Sequence, residues 1–271
     1  MTGMKTQTAR PDSWASGESY QRYIGRWSEP VAAEFIRWLD VPAGRHWLDL
    51  GCGTGALSRG ILERASPASV WGVDPSESHI SFARESLPDQ RATFAVGSAE
   101  SVPRPSDSVD VVVSGLVLNF LPDPARGLAE MTRLTHSGGT ISAYVWDYAD
   151  KMELLRCFWD AAVALDRAAR AIDEGTRFPL CRPENLKGLW AEGNLRNVEV
   201  RAIDVPTGFR DFNDLWEPFL GGQGPAPGYA MSLDEEKRSR LRDLIQSALP
   251  IAADGSITLV ARAWAVKGRK L

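Results

Sequence analysis

The chain has 271 residues, 44% of them hydrophobic, which is enough for one large α/β domain with a substantial core. Lysine and arginine number 31 against 35 aspartate and glutamate, so the formal charge of −4 excludes the basic field that nucleic-acid binding needs. Cys52, Cys157 and Cys181 form neither a disulfide framework nor a metal spacing, residues 1–16 carry no apolar signal core, and the apolar stretch 109–121 is too short and interrupted to span a bilayer. The expectation is a cytoplasmic protein, monomer or homodimer, that takes a small-molecule partner and uses no nucleic acid, membrane or metal.

In chain order, Tyr20, Tyr23, Arg26 and Trp27 form an aromatic and cationic segment ahead of a helix over 29–39, opened by Ser28-Glu29-Pro30. A short buried strand over 46–50 then carries Asp49 into the glycine loop Gly51-Cys52-Gly53-Thr54-Gly55, and a helix follows from Ala56. Such a helix terminus offers unpaired N–H groups and a positive dipole end, so it attracts an anion. Asp49 beside it opposes a pyrophosphate and suits a ligand that brings a carboxylate and an ammonium together, as an amino acid does. Gly51-x-Gly53-x-x-Ala56 also satisfies the relaxed dinucleotide fingerprint, so a nicotinamide-dependent oxidoreductase stands beside that reading, although the chain has no tyrosine-x-x-x-lysine pair.

A second apolar run, 69–73, ends in Asp74, placed to accept from both hydroxyls of a ribose. Helical spacing over 57–64 and 77–87 alternates with strand-like runs at 92–96 and 109–114, the βαβ rhythm of a parallel sheet. Asn119 follows the fourth strand, where it could orient a polar acceptor. The pattern then gives a helix over 125–134, a stop at Gly138-Gly139, and a fifth strand over 140–147 whose end, Trp146-Asp147, should face the ligand crevice. A long amphipathic helix spans 152–172. Between strands at 198–205 and 256–266 lies an insertion with Trp216, Phe219, a Gly/Pro-rich loop reaching Tyr229, and a charged helix over 233–249. A loop that long reads as a cover over the substrate, and its aromatics favour an apolar acceptor.

In order and spacing, Leu48-Asp49-Leu50-Gly51-Cys52-Gly53-Thr54-Gly55, Gly72-Val73-Asp74 and Asp110-Val111-Val112-Val113-Ser114 resemble the class I S-adenosylmethionine-dependent methyltransferases. The resemblance is greatest to the small-molecule branch of ubiquinone and menaquinone biosynthesis, and is strongest over 44–147. It implies a Rossmann-like, doubly wound α/β fold with a seven-stranded sheet, an antiparallel last strand and helical and loop lid insertions. One methyltransferase domain would cover 1–271, with an N-terminal lid and helix (12–40), a cofactor core (44–147), a helical insertion (148–196), a lid insertion (211–254) and closing strands (197–210 and 255–271).

The resemblance places the methionine moiety of S-adenosylmethionine, or of its product S-adenosylhomocysteine, against Asp49 and the backbone of Gly51, Gly53 and Gly55, and the ribose on Asp74. Ser98-Ala99-Glu100 holds the place of the adenine clamp, with Ser98 where the family usually has an aspartate. The Ser114 carbonyl is available to the methionine ammonium, and Arg26 to its carboxylate. Tyr23 and Arg26 would fold over the cofactor, and Tyr20, Asn119, Trp146, Trp216, Phe219 and Tyr229 would face the acceptor. The implied reaction moves a methyl group to an O, N or C atom of a small, largely apolar or aromatic metabolite by in-line displacement. Such a step needs no dedicated base when the nucleophile is already competent, and His46, His79 and His136 read as structural or solvated. A non-catalytic S-adenosylmethionine-binding protein is the further alternative.

Overall fold

A computed structural model describes residues 24–222 and 224–271, so Tyr20 and Tyr23 lie outside the described residues. Seven strands form one sheet: β1 (His46–Leu50), β2 (Ser69–Asp74), β3 (Ala92–Val96), β4 (Val109–Gly115), β5 (Thr135–Trp146), β6 (Arg196–Phe209) and β7 (Ile257–Arg269). Their order is β3-β2-β1-β4-β5-β7-β6. The first five pair in parallel, and β7 runs antiparallel between β5 and β6. Trp47, Leu48, Leu50 and Val111 to Val113 are all buried, because helices cover both faces of a parallel sheet and leave no strand face for solvent.

The helices are α1 (Ser28–Leu39), α2 (Ala56–Arg64), α3 (Glu77–Ser86), α4 (Pro124–Leu134), α5 (Glu153–Leu165), α6 (Glu174–Arg177), α7 (Pro183–Glu192), α8 (Phe212–Trp216), α9 (Pro225–Ser232) and α10 (Glu235–Ala248). Val31 and Phe35 of α1, Ile61 of α2 and Leu155 and Phe158 of α5 share one core. Leu128, Met131 and Leu134 of α4 join Leu186 and Trp190 of α7 in the other. The Trp190 indole N–H donates to the Ile141 carbonyl at 3.2 Å, so this tryptophan is a core residue.

Several boundaries differ from those the sequence suggests. Gly138-Gly139 does not end the connection before β5. The strand begins at Thr135, opposite Val109, and the pairing jumps to Val111 opposite Thr140. Gly138, at φ +75°, takes up the irregularity, and β7 extends to Arg269 because Gly138 and Gly139 exchange hydrogen bonds with the chain end at Lys270. The helix expected over 152–172 stops at Leu165, where the Asp166 carboxylate accepts from the Ala168 N–H and opens a separate 3₁₀ turn, Arg167–Ala171. Ser28 lies inside α1 and does not cap it, since a 3₁₀ turn, Gly25–Trp27, leads straight into the helix. The Gly/Pro-rich stretch is helical from Pro225, because Pro225 and Pro227 occupy the first turn, where no backbone N–H is needed.

The insertion between β6 and β7 packs on α5. Phe219 is fully buried and stacks on Phe158 with ring centroids 4.6 Å apart; Trp216 lies 5.9 Å from Phe219, and Tyr229 lies 5.8 Å from Trp159. Trp159 donates its indole N–H to the buried Glu174 carboxyl, which burial pushes up to about 7. The aromatic side chains of the insertion therefore supply core contacts. Replacing Phe219 with alanine should cost about 3–5 kcal/mol of unfolding free energy in urea. A loss below about 1 kcal/mol would contradict this packing.

Candidate functional site

The carboxyl ends of β1 to β5 open into one cavity of about 580 Å³, the size of a small-molecule pocket at the switch point of an open α/β sheet. Its walls are chemically divided. The loops after β1, β2 and β3 supply Asp49, Thr54, Asp74, Ser76, His79, Ser98 and Glu100. Those after β4 and β5 supply Leu116, Val117, Phe120, Leu121, Pro122, Tyr144, Trp146 and Tyr148, with Ser28 entering from α1.

The loop after β1 is shaped by its own hydrogen bonds. Gly51 and Cys52 both donate to the Val73 carbonyl, at 2.7 and 3.0 Å, Gly53 donates to Asp74 Oδ2 at 3.0 Å, and Gly55 donates to the Cys52 carbonyl at 2.9 Å. These N–H groups are taken up in holding the turn, so they do not form the free anion cradle that the glycine pattern suggests. The available donors are one step further on. Gly55, at φ +91°, is the N-cap of α2 and brings no capping side chain, which leaves the first-turn N–H groups beside Ala56 and Leu57 in the cavity wall. Gly51 cannot be replaced: at φ +77° a Cβ there would sit 2.5 Å from Val117. Gly55 itself does not line the cavity.

Asp49 is buried at the foot of this loop. Ser58 Oγ donates to its Oδ2 at 2.7 Å, while its Oδ1 has no hydrogen-bond partner. Burial pushes the carboxyl up to about 7, the Ser58 bond opposes the shift, and Asp74 adds to it. An orphaned, half-neutral carboxylate in a polar wall fits a ligand ammonium, which would both complete its bonding and favour its charge. Asp74 accepts from the N–H groups of Gly53 and Ser76, and His79 Nδ1 lies 3.3 Å from its Oδ1. That contact raises the His79 pKa. His79, expected to be structural or solvated, thus belongs to the wall; the signal was its place one turn into a helix that Ser76 caps, five residues after Asp74.

Of the other residues singled out from the sequence, Ala99 and Trp146 also line the cavity. Ser114 lies just behind it, its hydroxyl donating to the Leu50 carbonyl at 2.8 Å, so it ties β4 to β1 while its neighbours Gly115 and Leu116 form the wall. Arg26 is not in the wall. Its guanidinium stacks over Trp27 and Phe209 at 5.0 and 4.6 Å and lies 3.9 Å from Asp214. Asn119 is absent from the lining, and so are Trp216, Phe219 and Tyr229, which are held against α5. Asp147 turns away and accepts from the Asp150 N–H. Tyr144 was missed, although two-residue strand periodicity puts it on the face of Trp146. Tyr148 and Phe120 were missed because only the folded connection brings them back to the crevice. Leu116, at φ +63°, is a strained residue in the wall whose N–H is pinned to the Tyr144 carbonyl at 2.8 Å.

A family model described as a methyltransferase domain matches residues 48–143. The 2-methyl-6-phytyl-1,4-hydroquinone methyltransferase of Synechocystis sp. is 32% identical over 220 residues, which cover 74% of this chain and 68% of that protein. This chain belongs to the class I S-adenosylmethionine-dependent methyltransferases. The chloroplastic 2-methyl-6-phytyl-1,4-hydroquinone methyltransferase 2 of Oryza sativa is 33% identical over 116 residues, 42% of this chain and 33% of that one. The chain spans a third to about half of the length of the first curated relatives it matches. Phosphoethanolamine N-methyltransferase 2 of Haemonchus contortus, solved with phosphomonomethylethanolamine and S-adenosylhomocysteine, shares the fold with a TM-score of 0.56 at 16% identity, over 88% of this chain and 52% of that one. Nothing among these relatives supports a nicotinamide-dependent or a non-catalytic reading.

The buried Asp49 carboxyl carries a stability cost that pH reveals. Asp49 has its ordinary value in the unfolded chain and about 7 in the folded one, so its contribution is fully present below about pH 4 and is lost as pH rises through 7. Asp49→Asn removes that loss. In urea titrations at pH 8 the variant should be more stable than the parent by about 2–4 kcal/mol, since each tenfold change in proton affinity is worth roughly 1.4 kcal/mol, and the two should converge near pH 4. A variant less stable than the parent at pH 8 would refute the assignment.

Proposed function

We propose that this chain transfers a methyl group from S-adenosylmethionine to an O, N or C atom of a small, largely apolar or aromatic acceptor. The observation that carries the reading is the division of one cavity into a polar, carboxylate-bearing half and an apolar, aromatic half. S-adenosylmethionine supplies an electrophilic methyl group on a sulfonium. In the polar half, Asp49 Oδ1 takes the methionine ammonium, the first-turn N–H groups of α2 receive the carboxylate, and Asp74 accepts from the ribose. No Lys or Arg lines the cavity among the described residues, so the backbone serves the carboxylate and Arg26 does not.

The aromatic half positions the acceptor and excludes water. Tyr144, Trp146, Tyr148 and Phe120 line this half, where aromatic side chains stabilise a nearby cation and offer an apolar bed to a planar substrate. The residues from the β4 and β5 ends include no carboxylate, histidine or lysine, so the acceptor arrives already nucleophilic, as an electron-rich ring carbon, a neutral amine or an ionised oxygen. The rice and Synechocystis relatives are named for a hydroquinone, a ring of that character.

S-adenosylhomocysteine at 100 times its Kd should stabilise the protein by about 2.7 kcal/mol and raise its Tm, while NAD at the same concentration should leave Tm unchanged. A shift with NAD alone would sink the proposal. Asp74→Ala should weaken S-adenosylhomocysteine binding by about 1–3 kcal/mol in calorimetry through lost hydrogen bonds, and an unaltered Kd would remove Asp74 from the site.

A further inference from the structure

We infer that the acceptor carries an oxygen substituent to which the Trp146 indole N–H donates, so that this donor selects oxygenated rings over hydrocarbon and amine rings of the same shape. This rests on the reading of the aromatic half of the cavity as the acceptor's side. Trp146 lines the cavity and is 1% exposed, and its Nε1 is buried with no hydrogen-bond partner among the described residues. Trp159 and Trp190 are as deeply buried, yet the first donates to the Glu174 carboxyl and the second to the Ile141 carbonyl. Trp47 Nε1 is also unpartnered, but Trp47 does not line the cavity. A buried donor left unserved is costly, and in a cavity wall an acceptor atom of the ligand relieves it.

The surroundings of this indole are apolar. Trp146 stands opposite Ala263 on β7, and Tyr144 opposite Ala265, so short side chains make room for both rings on one face of the sheet and bring no acceptor. The loop after β4 adds Leu116, Val117, Phe120, Leu121 and Pro122 to the cavity wall, again without a polar side-chain atom. An indole nitrogen only donates, so it matches the lone pair of a phenol, an ionised oxygen or a carbonyl, and it leaves an aryl amine, itself chiefly a donor, without a partner. A hydrogen bond to the oxygen also favours its ionised form, which suits a wall whose β4 and β5 ends bring no carboxylate, histidine or lysine.

The probes are 1-naphthol, 1-naphthylamine and 1-methylnaphthalene, which differ only in the atom attached to the ring, titrated by calorimetry into the full chain saturated with S-adenosylhomocysteine. The parent should bind the naphthol about tenfold more tightly than either of the others, the worth of one well-formed hydrogen bond. In Trp146→Phe that preference should fall toward one while 1-methylnaphthalene keeps its Kd, and Trp47→Phe, which removes the other unpartnered indole, should keep the parental ratio. In proton–nitrogen spectra of the parent, the indole resonance that is missing from Trp146→Phe should lie further downfield with the naphthol than with 1-methylnaphthalene. Equal affinities in the parent, a preference that survives in Trp146→Phe, or an indole resonance indifferent to the oxygen would overturn the inference. Should Trp146→Phe fail to fold, the ranking of the three probes in the parent decides by itself. A parent that does not bind S-adenosylhomocysteine refutes the cofactor reading; one that binds it but none of the probes refutes the acceptor reading together with this inference; one that binds all three probes alike refutes this inference alone.

Discussion

Gly51 and Cys52 share one acceptor, the Val73 carbonyl, and through that forked bond the turn after β1 is laid against the end of β2. The geometry requires β1 to lie between β2 and β4 in parallel register, with Asp49 opposite Gly72 on one side and Val113 on the other. From that placement the remaining features follow. Gly53 reaches Asp74, α2 starts at the cavity without a cap, and Val117 closes over the space that a side chain at Gly51 would fill. A single central strand thus brings the acidic groups of two strand ends and a bare helix terminus into one crevice.

Placing Asp49 there works against folding. Its carboxyl is buried with one oxygen unserved, and its proton affinity is raised by both the lack of water and the neighbouring Asp74. The protein holds a buried group whose bonding is incomplete, which is the usual relation between a functional site and the stability of the fold that carries it. The aromatic half shows the opposite balance, since Tyr144 and Trp146 are nearly as buried as the core and continue it into the cavity wall.

The insertion between β6 and β7 shows why aromatic content alone is a weak guide to a site. Trp216, Phe219 and Tyr229 carry as much apolar surface as any substrate-facing side chain, yet α5 presents Phe158 and Trp159 to them, and burying rings against rings is the stronger pull. The apolar wall of the cavity instead draws on the loop after β4, strained at Leu116, and on Tyr148 just past β5, with Phe178 behind them packing edge-on to Phe120 at 5.2 Å.

Local residue order was enough to read the parallel sheet, the glycine turn with Asp49 and Asp74, and the place of the loop carrying Ala99 and Glu100, because each depends on neighbours a few positions away: alternation, a positive-φ turn, a strand ending in an acid. The length of β5 escaped it, since the pairing of Thr135 with Val109 and the bonds of Gly138 and Gly139 with Lys270 hold residues 135–139 in the strand. So did the commitment of the loop N–H groups to Val73, the inclusion of His79 and Tyr148 in the wall, and the withdrawal of Arg26 to Phe209. Those were decided by tertiary structure, because a hydrogen-bond donor or a ring takes the best partner within reach, and which partners come within reach is set only once distant strands have been brought side by side.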